Sequence, residues 1–162
     1  MNYAKETEEI IESALVAAVA AALPGISVEG ALAPVFDGEV KTSDSTYVNV
    51  TVDQESQNGD YAGAPPCGYS ARITVRYALA DDPTGAEFRA ACRAVRAALS
   101  AFLGDGCSAL NDEAEGWRCD EFLLDSTSTA PDLGESTAAA VKTYTATLVG
   151  RRLNTNNNEQ EA

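Results

Sequence analysis

Hydrophobic and polar positions alternate with period two over one long stretch. Between Tyr69 and Leu79 the odd positions Tyr69, Ala71, Ile73, Val75, Tyr77 and Leu79 are apolar, and the even ones are mostly polar or small. That period predicts a half-buried strand. Asp81-Asp82-Pro83-Thr84-Gly85 reads as a turn that starts a helix. Phe88, Cys92, Val95, Leu99 and Phe102 then recur at helical spacing, which predicts an amphipathic helix folding back onto the strand. An earlier helix is predicted over Lys5 to Leu23. It carries Ile11, Leu15, Val19 and Leu23 on one stripe, acids in its first half, and Pro24-Gly25 as its stop.

Shorter apolar pieces fill in the order. Ile26 to Asp44 reads as a connector with one short strand. Tyr47 to Asp53 alternates around Val48, Val50 and Val52 and predicts a strand. Gln54 to Gly68 is polar, then rich in Gly and Pro, and reads as a long exposed connection. Gly104-Asp105-Gly106 reads as a helix end, and Cys107 to Trp117 as an acidic irregular segment. Arg118 to Asp125 predicts a strand with Phe122 and Leu124 on one face, and Ser126 to Ser136 a turn region. Thr137 to Leu153 predicts the last strand, with Tyr144, Ala146 and Leu148 facing one way and Thr143, Thr145 and Thr147 the other. Residues 1–153 thus read as a single α+β domain. It is a two-layer sandwich in which two helices pack on one face of a mostly antiparallel sheet of four to five strands. Asn154 to Ala162 is a polar tail with nothing to bury and is expected to be disordered.

Composition narrows the function classes. At 162 residues and 45% hydrophobic, the chain can bury its own core. With 25 acids against 11 bases the net charge is −14, which repels nucleic acid and anionic membrane. No secretory leader is expected, because Met1 to Glu12 is acidic where a leader would be basic. The apolar run from Ala14 to Leu23 is about half the roughly 20 residues a membrane span needs.

Candidate chemistry is sparse. There is no histidine, hence no imidazole base or ligand. Cys67, Cys92, Cys107 and Cys119 lack CxxC spacing, so no zinc site and no cofactor is expected. Cys107 and Cys119 could pair, although free thiols fit a chain without a leader. Asp81-Asp82, Asp112-Glu113-Glu115 and Asp120-Glu121 are the candidate carboxylate clusters. The first reads as a helix cap and the second as solvated loop charge. Gly104-Asp105-Gly106 lacks the following Lys of a phosphate loop. Against this acidic background Arg89, Arg93 and Arg96 fall within roughly 60° of one another on the second helix, at about 100° per residue. They either pair locally with Glu87 or neighbouring acids, or await an acidic partner surface. Both readings stand at this point.

An Ala-rich first helix ends in Pro-Gly. A short strand, a long connection, a long alternating strand and the Phe88 to Leu99 helix follow, and the chain closes on a Tyr/Thr-rich strand from Lys142 to Gly150. Over roughly residues 5 to 153 this order resembles the small tail-terminator, tail-completion and neck (head–tail joining) proteins of long-tailed bacteriophages and prophages. The resemblance implies a structural virion protein and no enzyme. The copies would form a ring, usually a hexamer, that terminates the tail tube and joins it to the head connector. DNA would pass through the lumen without specific binding, and the protein would be made in the host cytoplasm. Arg89, Arg93 and Arg96 then become candidate subunit-interface residues. A tail tube or head-completion role in the same virion is the nearest alternative, and an acidic DNA-mimic inhibitor the alternative of another class.

Overall fold

The computed structural model describes residues 5–30, 46–57, 66–80, 82–133 and 138–153. Within them the chain runs α1 (Thr7–Ala22), β1 (Ser27–Gly30), β2 (Tyr47–Gln57) and β3 (Cys67–Ala78). It continues with α2 (Ala86–Ser100), a 3-10 helix (Gly104–Leu110), β4 (Trp117–Leu133) and β5 (Ala138–Arg152). The strands form one mixed sheet in the order β1-β2-β3-β5-β4. β1 runs parallel to β2, and the other neighbours are antiparallel. This is an α+β sandwich.

Register explains the core. Val50, Ile73 and Tyr144 form one cross-strand row, and Val52, Ala71, Ala146 and Leu124 the next. Tyr69 sits opposite Leu148, which sits opposite Phe122. These inward side chains are buried except Leu124, which packs partly exposed against them. α1 brings Ile11, Leu15 and Val19 to the same cluster, joined by Leu23 just after it, and α2 brings Cys92, Val95 and Leu99. α1 lies against β1 and β2, α2 against β3 and β5, and the helices touch each other. Opposite the core, Ser70 and Thr74 are half-buried and Arg72 is exposed, as a period of two requires, whereas Arg76 and Ala78 further along the same face are buried.

Two local devices fix the helices. Gly25, at φ 84°, makes the left-handed turn that stops α1. Buried Asp82 receives the N–H groups of Glu87 (3.3 Å) and Phe88 (2.9 Å) on its carboxylate, so it caps α2 as the sequence suggests. Asp81 lies outside the described residues.

Four expectations need correction. β2 continues through a bulge to Gln57 and β3 begins at Cys67, so the ends of the expected Gln54 to Gly68 connection are strand. Residues 58–65 lie outside the described residues, as do 31–45 of the earlier connector and the 154–162 tail. β4 does not stop at Asp125: it pairs with β5 as far as Leu133, so most of the expected Ser126 to Ser136 turn is strand. Pro131 is tolerated because β4 is an edge strand, with one side free of ladder bonds. Finally, Gly104 opens a 3-10 helix that buries Cys107 and Leu110. The segment after it is tied by a two-way backbone bridge between Asp112 and Trp117.

Candidate functional site

Five strands about 4.8 Å apart make a sheet roughly 20–25 Å wide, which two helices of about 10 Å do not span fully. The 3-10 helix covers the start of β4. Further along, Thr129 is exposed. A groove of about 350 Å³ opens here, lined by Phe88, Arg89, Cys92, Arg93 and Arg96 of α2, Lys142 and Tyr144 of β5, and Thr129 of β4.

The cross-strand row through Val48 and Val75 reaches Lys142 and then Thr129. Lys142 therefore shares the helix-facing phase of Tyr144, Ala146 and Leu148, and the apolar row turns cationic where the arginines of α2 overhang it. Its ammonium stands 5.3 Å from the centre of the Tyr144 ring, within cation–π range. The Tyr144 hydroxyl donates to the Cys92 carbonyl at 2.8 Å, locking the groove floor to α2. Burial pushes the Tyr144 phenol up to about 12, despite the opposing charge of Arg96. Burial also raises the Cys92 thiol, against the pull of Lys142 and Arg93.

The structure brings Arg89, Arg93 and Arg96 together on an exposed face, as their spacing predicts. Elsewhere, arginines find carboxylates: Arg72 with Asp53 (3.7 Å), Arg118 and Arg151 with Asp120 (3.8 and 3.0 Å), and Arg152 with Glu115 (2.8 Å). Among the described residues none of the four groove cations has an ion pair. Glu87, the expected local partner, lines a different cavity beside Thr46, Tyr77 and the end of α1.

The other candidates resolve into structural roles. Asp112 accepts the Glu115 N–H at 3.2 Å, and Glu115 and Asp120 are held by arginines. All four cysteines are free thiols. Cys107 Sγ donates to the Cys119 carbonyl at 3.6 Å, and burial foremost pushes the Cys119 thiol up to about 12. Among the described residues no group of three or more His, Cys, Asp or Glu is placed to hold a metal ion, and no helix is long and apolar enough to cross a membrane.

Sequence reasoning missed Lys142 and Thr129 as groove residues. The signal was a lysine in phase with the buried side of β5. No protein-family model matches this sequence, and no curated protein matches it at significance. What the fold and groove define is a class: an acidic α+β sandwich with a concentrated basic surface that has no ion pair among the described residues.

Proposed function

We propose that this chain is a structural virion protein of a long-tailed phage or prophage. Its copies associate into a ring that terminates the tail tube and joins it to the head connector. The observation that carries the self-association is the groove: four cations without an ion pair among the described residues, beside an open strip of sheet, on a chain of net charge −14. Such a surface attracts carboxylates, and another copy is the nearest concentrated source of them. The virion role comes from the resemblance in element order. An acidic ring suits it physically, because a lumen that conducts DNA must repel phosphate so that the polymer slides.

Charge reversal tests the reading. Each exposed ion pair contributes about 0.2–1 kcal/mol, so losing three and replacing them with repulsion weakens each subunit contact by about tenfold or more. Arg89→Glu/Arg93→Glu/Arg96→Glu should sediment as monomer at low salt, where the parent assembles. Its circular dichroism should be unchanged, because the buried stripe of α2 is untouched. Assembly equal to the parent's would make the arginines ordinary surface residues.

A further inference from the structure

The ring reading leaves open which surface of the next copy enters the groove, and the inference drawn here rests on that reading. Charge on the described residues is separated along the sheet. Lys142, at the groove, and Arg152 are ten residues apart on β5, about 33 Å at 3.3 Å per residue. At the Arg152 end the start of α1 is tied to the acidic loop that follows the 3-10 helix. Arg152 donates to the Lys5 carbonyl (2.7 Å), to Thr7 Oγ1 (3.3 Å) and to Glu115 Oε2 (2.8 Å), and the Lys5 N–H donates to the same Glu115 oxygen (3.2 Å). That knot brings Glu6, just before α1, and Glu8 and Glu9 of α1 to the same end as Asp112 and Glu113 of the loop. Arg152 is engaged by Glu115, and the neighbouring Arg118 and Arg151 both reach Asp120. Among the described residues no base pairs with Glu6, Glu9 or Glu113, and all three are exposed.

Among the described residues the hairpin is therefore unevenly charged, with a basic groove that has no ion pair towards one end and exposed Glu6, Glu9 and Glu113 with no ion pair at the other, the acidic pole. Groove against groove, as in a two-fold dimer, would set like charges against each other. Groove against pole is attractive. Because it uses two different surfaces it is heterologous, the kind of contact that closes into a ring when its rotation permits. We propose that the groove at Arg89, Arg93, Arg96 and Lys142 of one copy receives the acidic pole at Glu6, Glu9 and Glu113 of the next.

Two charge-reversed proteins test the pairing by sedimentation velocity at low salt. One carries Arg89→Glu/Arg93→Glu/Arg96→Glu, and the other Glu6→Lys/Glu9→Lys/Glu113→Lys. Each alone presents like charges at both poles and should remain monomeric. An equimolar mixture should recover particles of the parent's size with both proteins in equal amounts, since each groove then meets an opposite pole. Circular dichroism checks the fold, and Glu6→Gln/Glu9→Gln/Glu113→Gln, which should assemble at least tenfold more weakly than the parent, serves if the lysine variant does not fold. If the parent assembles while the mixture stays monomeric, or if either acidic-pole variant assembles as well as the parent, the pairing is wrong and the ring reading survives. If the parent itself never assembles, both fall.

Discussion

Trp117→Ala should be among the costliest single changes in this protein, at about 3–5 kcal/mol of stability. Trp117 is 2% exposed and is the largest fully buried side chain at the start of β4. Its ring meets Tyr69 edge-on at 5.5 Å between centroids, and it lies so close to Gly150 that a Cβ there would collide with its Cη2. Truncation empties the space between β3, β4 and β5, and rigid strands cannot collapse to fill it. Two companions give the prediction shape. Gly150→Ala overpacks the same contact and should cost about 1–3 kcal/mol. Trp117→Phe should be milder than alanine, because the buried indole Nε1 has no hydrogen-bond partner among the described residues, so no bond is lost with it. Urea unfolding followed by circular dichroism reads all three. A loss below about 1 kcal/mol for the alanine variant would show that this end of the core is not packed as described.

Stability should also fall steeply in alkali. Tyr69, Tyr144 and Cys119 are each pushed up to about 12, and Tyr77 and Cys92 are raised as well, in every case with burial as the largest cause. In the unfolded chain a tyrosine titrates near 10 and a cysteine near 8.5. The sign follows from which state ionises first. Below about pH 8.5 these groups are protonated in both states and their contribution is fully present. Above that the unfolded chain loses protons first, so unfolding is favoured progressively until the folded groups ionise, which for Tyr69, Tyr144 and Cys119 is at about 12. Each such group removes about 1.4 kcal/mol per pH unit inside its window. The urea midpoint should drift down from about pH 9 as Cys119 engages, then drop sharply between about 10 and 12 as the tyrosines join. Tyr144→Phe should lower the plateau, by losing the bond to the Cys92 carbonyl, and should also flatten the alkaline slope. A midpoint that holds level to pH 12 would contradict the burial of these phenols.

Much of this architecture was legible in local pattern. The alternation of Tyr69 to Tyr77 and of Tyr144 to Leu148, and the stripes Ile11-Leu15-Val19 and Cys92-Val95-Leu99, carry their own period, so packing follows the sequence. The missed parts owe their structure to distant partners. Beyond Asp125, β4 is a run of Ser, Thr and Pro that reads as turn, and it becomes strand because β5 pairs with it throughout. β1 is four residues long and exists through parallel pairing with Tyr47–Val50. The arginine face could be read from 100° steps, but its lack of ion pairs among the described residues could not, since Glu87 is only two residues from Arg89 and its cavity is a different one. Lys142 lies inside the predicted last strand, but the face is assigned only from Tyr144 onward. Its pairing with Val75 and Thr129 puts it on the helix-facing side, beneath α2.

Native mass spectrometry of the unaltered protein across a range of concentrations tests the central claim most directly. The account predicts one closed species whose copy number does not change with concentration, six if the resemblance to tail-terminator rings holds, and which loosens as salt screens the groove. Monomer or dimer at every concentration, the state an acidic DNA mimic would show, would contradict it.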